Sequence, residues 1–578
     1  MEIMDKIPEI LSSELFHRRR QVEVILNRTA LSWREIRKNR KRSSRITNIS
    51  QSAQSHAVPV CEIVAVHKME DKRTETSRSS SQKDPNQDNL HAFTVSYVRR
   101  TSRHQWRCND ITFHCTSQAL CQQWIQAINE QLSLLLTRPK SLLVYINPYA
   151  GKKHGKRIYK QKVAPLFRCA SISADVIVTE YANHARDHLK TEANLAKYDG
   201  VVCVGGDGMF SEILHGLVTR TQTDHGVDQN QPDADLVPCL LRVGIIPAGS
   251  TDCICFATVG TNDPVTSALH IIVGDSQPVD TCSVHHNNIF LRYSVSLLGY
   301  GFYGDVQVDS ERKRWLGPAR YNLSGVKIFL SHNYYEGTIS FLPAEENVGN
   351  PRDNLQCRSG CHVCQHKASL KDTCCDTAQE EKPDKGAGLD GSGGWCVIQG
   401  KFIAINAASM SCACPRSPQG LSPSAHLADG TADLILVRKC SRLDFFRHLF
   451  RHTNENDQFD HSFVEVHRVQ KFHFQPWCND FISDKDLTET GKKGSFGPIC
   501  SAPTTCKNSS TLSSWSCDGE ILPHTDIQVS VQHQLIRLFA RGIEEQQQCT
   551  FEDCYTVSPR ATCTHISEIK SWTPNLRV

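Results

Sequence analysis

At 578 residues the chain is too long for one domain and is expected to hold two to four. Its apolar content of 39% suffices for packed cores, and a net charge of +4 is too near balance to argue for any partner. There is no run of about 18 apolar residues to span a bilayer, and the opening MEIMDKIPEI is not a secretory signal, so the 26 cysteines are read as mostly reduced cytosolic thiols rather than a disulfide framework.

The first unit covers 12–137. Basic residues crowd its start: Arg18, Arg19, Arg20, Arg28, Arg34, Arg37, Lys38, Arg40, Lys41, Arg42 and Arg45 against Glu23 and Glu35. That is an electrostatic footprint for anionic lipid or nucleic acid, or else a solvated loop. Strand-like runs at 21–26, 60–66, 92–98 and 111–115 alternate with polar segments, and 67–89 reads as a flexible loop. A helical pattern follows from Gln118 to Leu136, with Leu120, Trp124, Ile125 and Ile128 on one face. Short strands closed by one helix with a central Trp resemble a pleckstrin-homology domain. The resemblance implies a β-barrel capped by its C-terminal helix, with Trp124 in the core. It also places an anionic phospholipid or phosphoinositide headgroup near the first hairpin. Arg18, Arg19 and Arg20 are then the membrane-binding candidates, and nucleic acid is not an expected partner.

Residues 138–290 show three strand-to-loop units. Leu142–Ile146 leads into Asn147, Pro148, Tyr149, Ala150 and Gly151, followed by Lys152, Lys153 and Lys156. Val201–Val204 leads into Gly205, Gly206, Asp207 and Gly208, and then a helix pattern, Met209–Val218. Val243–Ile246 leads into Pro247-Ala248-Gly249-Ser250-Thr251-Asp252. With helices also expected at Asn183–Ala196 and Pro264–Val273, this predicts βαβ units and a Rossmann-like, largely parallel α/β sheet holding a nucleotide. Glycines let the backbone approach a phosphate, and a helix N-terminus favours negative charge. A carboxylate in such a site makes sense if it does chemistry. Asp207 can take the proton of a hydroxyl attacking a phosphoryl group; the alternative is a cap on its own helix. No G-x-x-x-x-G-K-[ST] occurs. A G-x-G-x-x-G does, at Gly299, Gly301 and Gly304, but a charged stretch and no helix pattern follow it, so a dinucleotide or protein-kinase reading is rejected there. Residues 222–236 read as a polar excursion.

From about 290 the pattern alternates, at 290–297, 338–341, 434–437, 463–466 and 527–531, which predicts an antiparallel β-sandwich domain over 291–545. Polar insertions at 344–396 and 476–515 are expected to be mobile, and 546–578 is a tail. Cys357, Cys361 and Cys364 form C-x-x-x-C-x-x-C, with His362, His366, Cys374, Cys375, Cys412 and Cys414 nearby. Zinc binding, a redox-sensitive loop and inert thiols are the open readings. Phe445–His452 is basic and amphipathic, fitting calmodulin or simple packing on this domain.

The segments NPYAG, GGDGMFSEILHGL and PAGSTD resemble the diacylglycerol-kinase-like lipid kinases. So do 298–305 with 310–321, the cysteine motif and 410–436, which narrow the resemblance to the ceramide kinases, over about residues 138–545. The resemblance implies an active site in the cleft between two domains and transfer of the γ-phosphoryl of ATP to the primary hydroxyl of ceramide, giving ceramide 1-phosphate. A sphingosine or diacylglycerol kinase, or a catalytically inactive membrane adaptor, is the alternative. It makes Asp207 the base. It assigns ATP to Asn147, Pro148, Tyr149, Ala150, Gly151, Thr179, Glu180, Tyr181, Ala182, Asn183, Glu212, Gly249, Ser250, Thr251, Arg314, Arg320, Asp518, Gly519 and Glu520. Lipid substrate falls to Gly205, Gly206, Asp207, Gly208, Asp305 and Gln307. Aligned on Ser310-Glu311, the neutral amide of Gln307 stands where sphingosine kinases place an acid, and it suits the neutral amide of ceramide; Asp305 and Asp309 are the alternatives for that position. Mg²⁺ is expected across the ATP phosphates, with no protein ligands named. Ca²⁺ and calmodulin are possible regulators. The implied location is the cytoplasm, peripherally on Golgi and plasma membranes.

Overall fold

The computed structural model describes residues 8–36, 55–69, 91–317, 319–345, 349–365, 394–453, 457–477 and 512–545. The chain divides into Met1–Glu544 and Glu545–Val578. The basic run beyond Ile36, most of loop 67–89, most of both insertions and the tail lie outside the described residues.

The N-terminal domain has strands β1 (Glu9–His17), β2 (Arg20–Asn27), β3 (Ala30–Glu35), β4 (Ser55–Pro59), β5 (Ile63–Lys68), β6 (His91–Arg100) and β7 (Trp106–Cys115), then helix α1 (Gln118–Ser133). The sheet order is β4-β3-β2-β1-β7-β6-β5. Among the described residues no ladder joins the end strands β4 and β5. Helix α1 covers the open face instead, setting Cys121, Trp124 and Ile128 into a core with Leu15, Val24, Phe93 and Phe113. Trp124 is core, as expected.

Next come β8 (Ser141–Ile146), α2 (Gly155–Ile158), α3 (Ala164–Cys169), β9 (Ser173–Val178), α4 (His184–Thr191), β10 (Gly200–Gly205), α5 (Asp207–Asp224), β11 (Arg242–Pro247), α6 (Cys253–Val259) and α7 (Pro264–Val273). The parallel order is β9-β8-β10-β11. These strands read as unbroken apolar runs because both faces are buried. Leu143, Tyr145, Val201 and Cys203 face α4 and α5, whereas Val144, Ile146, Val202 and Val204 face α7. Helix α4 stops at Thr191, short of the expected Ala196, and α5 runs on past Val218. The polar excursion is anchored rather than loose, since buried Gln222 exchanges two 2.8 Å hydrogen bonds with the backbone of Val237.

The remaining elements are β12 (Ser276–His286), β13 (Ile289–Ser294), β14 (Leu297–Gly301), α8 (Phe302–Glu311), α9 (Ala319–Ser331), β15 (Tyr335–Pro343), β16 (Cys396–Ala408), β17 (Ala432–Arg438), α10 (Arg442–Arg451), β18 (Val464–Pro476), β19 (Ser516–Cys517), β20 (Glu520–Ile521) and β21 (Ile527–Phe539). Strands β15 to β18 close on themselves, because β15 and β17 each pair with both β16 and β18. Fourteen strands join in one sheet, β20-β19-β14-β16-β15-β18-β21-β11-β10-β8-β9, with β12, β13 and β17 branching from it. Strand β21 is the seam: it pairs antiparallel with β12 and β18, and parallel with β11 at Val243–Leu538. A correction concerns Gly299-x-Gly301-x-x-Gly304, because helix α8 begins within it, at Phe302. Its acids are satisfied internally, Asp305 by Ser513 and Tyr335 and Asp309 by Lys313 and Lys327, so no polar face marks the helix. Strand β14 is antiparallel to both neighbours, which still excludes a βαβ dinucleotide site. Residues 349–365 and 512–515, within the expected mobile insertions, are packed: Cys364 and Trp515 are buried, the latter against Tyr300.

The N-terminal domain is not tethered loosely. Trp106 stacks on His270 of α7 with ring centroids 3.9 Å apart, and its backbone N–H donates to Thr266 Oγ1 at 2.9 Å. Arg100 bridges Glu62 and Glu544 at 2.6 and 2.7 Å, and Arg541 bridges Glu62 and Asp275 at 2.5 Å each.

Candidate active site

The reversal of strand order lies between β8 and β10, where open α/β sheets place ligands. The loops leaving those strands, Asn147–Gly151 and Gly205–Gly208, meet the loop after β11. Asn147 N–H donates to Val204 O at 3.0 Å, and Ala248 N–H to Gly205 O at 2.9 Å. A Cβ on Gly206 would sit 3.0 Å from Gly249 Cα, and one on Gly249 would sit 2.6 Å from Gly206 Cα. Gly151, at φ +53°, brings its Cα so close to Ala248 O and Gly249 O that a Cβ would lie 2.6 Å from each. Only glycine permits this backbone-on-backbone contact. Asn147 Oδ1 accepts the Tyr149 N–H at 2.9 Å, which fixes the first loop. Ser250 and Thr251 follow Gly249 on the third, and Lys152, Lys153 and Lys156 are exposed beyond the first.

Asp207 stands at the junction, half-buried, as the first residue of α5. It does not cap its own helix, whose cap is Gly206. Its carboxylate accepts the N–H groups of Cys253 and Ile254, each at 3.0 Å, and so caps α6. Burial raises its pKa, the two amides pull it back, and the charge of Asp518 raises it further. Asp252, to which the sequence reading gave no role, sits beside it in the left-handed region at φ +54° and accepts the Gly249 N–H at 2.8 Å. Burial and then the Asp207 charge push Asp252 up to about 7. Its position as the acid just before a helix was the available signal.

The Thr179–Asn183 segment leaves β9 alongside. Thr179 N–H donates to Ile146 O at 2.9 Å, and Glu180 N–H to His184 Nδ1 at 3.1 Å. Beyond Ala182, Asn183 precedes α4 at φ +69°, but its side chain makes no capping bond. Glu212, on α5, lies beside the start of α4, where the backbone N–H groups of Asn183 and Ala185 oppose the effect of burial on its carboxyl. Burial is the main cause raising the Glu212 pKa, with Glu520 adding to it, and its Oε2 is buried without a partner. Tyr181 is exposed and stacks flat on His184, centroids 4.6 Å apart.

The turn Asp518-Gly519-Glu520 closes the crevice from the other side. Asp518, at φ +49°, commits its carboxylate to the N–H groups of Val295, Ser296 and Leu297 and the hydroxyls of Ser294 and Ser296, at 2.7–3.0 Å. Gln307 donates to Gly519 O at 2.5 Å and to Glu311 at 3.3 Å. Glu311 in turn gathers Arg314 and, at 3.2 Å, Arg320. Asp305 is engaged by the hydroxyls of Ser513, at 2.6 Å, and Tyr335. Gln307 and Glu311 of α8, Arg314, Arg320 and the Asp518 turn are thus one hydrogen-bonded unit, whereas Asp305 is tied to Ser513 and Tyr335.

Arg18 and Arg19 form the tip of the β1–β2 hairpin, exposed at φ +47° and +64°, and Arg20 pairs with Glu35 at 2.9 Å. Helix α10 packs Phe445 against Phe302 with centroids 5.1 Å apart, which is the packing reading of that segment. The motif cysteines Cys357, Cys361 and Cys364 converge with His426, which the sequence reading did not single out. His366, Cys374 and Cys375 lie outside the described residues.

Three family models match the chain: the ceramide kinase PH domain over 11–128, the diacylglycerol kinase catalytic domain over 141–284 and the ceramide kinase C-terminal domain over 296–556. The chain is 57% identical to ceramide kinase of Homo sapiens, over 85% of this chain and 90% of that one. It is 52% identical to ceramide kinase of Mus musculus, over 93% and 98%. A solved putative diacylglycerol kinase from Bacillus anthracis aligns with 70% of this chain and 97% of its own, at 15% identity and a TM-score of 0.43.

Proposed function

The chain belongs to the ceramide kinase family, and from that premise we propose how its residues divide the work of phosphorylating ceramide. It is an ATP-dependent lipid kinase that produces ceramide 1-phosphate. The observation carrying the proposal is the backbone contact of three strand-end loops around Asp207.

The glycine loops and the N-terminus of α5 cradle the phosphates of ATP, and Tyr181 on His184 offers a flat face for the base. Asp207 takes the proton of the ceramide primary hydroxyl. That oxygen bonds to the γ-phosphorus while the bond to the ADP oxygen breaks. Burial makes the Asp207 carboxylate a better proton acceptor, and the Cys253 and Ile254 amides hold it in place. Arg314 and Arg320, collected by Glu311, meet the phosphoryl charge. The partnerless Oε2 of Glu212, with Glu520 in its field, fits a hard divalent cation shared with the phosphates. Mg²⁺ bound there would supply charge neutralisation on the phosphates. Gln307 holds the Gly519 turn and leaves no carboxylate to demand a cationic substrate.

No helix among the described residues is long and apolar enough to cross a membrane. The lipid is met at a surface. Exposed Leu323, Val326 and Leu330 of α9 and Leu443, Phe446 and Phe450 of α10 lie on helices that touch through Phe329 and Phe446. Such an apolar face suits a bilayer, and the Arg18–Arg19 tip suits its anionic headgroups. Calcium-loaded calmodulin on α10 would compete for this same exposed face.

The test is transfer from γ-labelled ATP to ceramide, sphingosine and diacylglycerol in mixed micelles with Mg²⁺, alongside Asp207→Asn. Labelled ceramide phosphate from the wild type alone supports both reaction and base. Equal labelling by the variant removes Asp207 as base.

A further inference from the structure

We propose that Cys357, Cys361, Cys364 and His426 bind one structural zinc ion. The cysteines lie on 349–365, beyond β15, and His426 lies on the loop between β16 and β17. Their Sγ and ring-nitrogen atoms all fall within 4.8 Å of one another. Cys357 Sγ is 3.7 Å from Cys364 Sγ, and Cys361 Sγ is 3.3 Å from His426 Nδ1. A zinc tetrahedron with bonds of about 2.3 Å to sulfur and about 2.0 Å to nitrogen has edges of roughly 3.8 Å between sulfurs and roughly 3.6 Å from sulfur to nitrogen. The sulfurs are too far apart for a disulfide bond of about 2.05 Å, and all three thiols are free.

The surroundings of His426 point the same way. It is 3% exposed, and its outer nitrogen, Nε2, is buried without a partner. Asp429, three residues further along the same loop, also leaves Oδ2 buried without a partner. A zinc-bound histidine usually gives its second N–H to a carboxylate, and Nδ1 ligation would leave the buried Nε2–H free for one. Four protein ligands leave no open position for water, so the site is structural rather than catalytic.

Zinc would staple two segments that are also joined by Gln356 Nε2 donating to Gln419 Oε1 at 3.0 Å. The cysteine arm is held by Ser359 N–H to Ile543 O at 2.9 Å and Gln534 Nε2 to Cys364 O at 3.4 Å. The His426 loop is tied to β12, since Leu427 O accepts the Asp280 N–H at 2.7 Å. The same loop carries Cys412, whose thiol donates to Ser296 O at 3.3 Å, on the strand end that Asp518 clasps. The site thereby reaches the back of the crevice without touching it.

Metal analysis of the full-length protein, purified reduced and without added metal, should find about one zinc per chain. Cys361→Ser and His426→Ala should each lower this at least tenfold. His426→Cys should keep the metal, because four thiolates also bind zinc. Exposed Cys396 is the control, and Cys396→Ser should change nothing. Should the ligand variants fail to fold, the wild type decides: chelator should free three titratable thiols and lower the melting temperature. Cobalt exchange should give a thiolate-to-cobalt charge-transfer band. A wild type with no zinc, a Cys357–Cys364 disulfide in its place, or full zinc in both His426→Ala and Cys361→Ser would overturn the proposal.

Discussion

Asp207 Oδ2 accepts the backbone N–H of Cys253 at 3.0 Å, so the carboxylate that begins α5 caps the next helix of the fold, α6. The helix start fixes the carboxylate, and burial keeps it basic. An asparagine at 207 retains an acceptor for one of the two amides but cannot take a proton. Asp207→Asn should therefore cost only about 1–2 kcal/mol of stability, read as melting temperature, while lowering kcat by about 10²–10⁴. Nucleotide binding should survive. Turnover near wild type would move the base to another group, with Asp252 the first to test.

Gln307 makes a second prediction. Its amide N–H groups are committed to Gly519 O and Glu311, so a carboxylate there would face a carbonyl and another acid. Gln307→Glu should depress phosphorylation of ceramide and of sphingosine together, at least tenfold, by loosening the Gly519 turn. A gain of sphingosine turnover at the expense of ceramide would show instead that residue 307 reads the substrate directly.

These relationships show what was legible in the sequence. The three glycine loops were, because doubly buried parallel strands leave continuous apolar runs that end abruptly in glycine. Helix α7 was predicted over Pro264–Val273 and found there, since a proline start and an apolar face mark it. Helix α8 was hidden because Asp305 and Asp309 are satisfied inside the fold and break the apolar pattern. The seam at β21 was hidden because a strand's partners are not encoded in its own alternation. His426 acquires meaning only when distant loops meet, since a lone histidine in a loop carries no spacing signal, whereas Asp252 offered one by preceding α6.

The hairpin tip is unusual for arginine. Two-residue hairpin turns with positive φ at both positions favour asparagine and glycine. Arg18 and Arg19 occupy them, exposed. At about 1 kcal/mol per basic residue near an anionic surface, Arg18→Gln with Arg19→Gln should weaken vesicle binding about thirtyfold. Arg20→Gln should do less, because Glu35 already engages that guanidinium. Activity in detergent micelles should stay the same; unchanged binding to anionic vesicles would reject the tip as the contact.

Trp106 joins two domains. It stacks on His270, lies 5.2 Å from both the Arg100 and Arg541 guanidinium carbons, and donates its indole N–H to Glu544 at 3.1 Å. Truncating a buried Trp costs about 3–5 kcal/mol. Trp106→Ala should separate one unfolding transition into two, with the N-terminal domain melting first. A single transition at the wild-type temperature would mean that the domains are coupled elsewhere.

His270 gives that interface a pH dependence. It is 1% exposed, accepts the Arg541 N–H at Nδ1 at 3.1 Å and lies under Trp106. Burial pushes its pKa down to about 3, with Arg541 and Arg100 acting in the same direction and Glu544 opposing them. The unfolded chain therefore takes up a proton near pH 6.5 that the folded chain refuses until about pH 3. Stability from this group is complete above pH 6.5 and is lost as the pH falls through that window. His270→Gln keeps an acceptor for Arg541 and removes the titration. Between pH 7.5 and 5.5 the wild type should lose about 1.4 kcal/mol more than this variant. Other titrating groups, Asp252 among them, act in both proteins and cancel in the difference. Chemical denaturation at the two pH values measures it, and parallel losses would show that His270 is protonated in the folded protein.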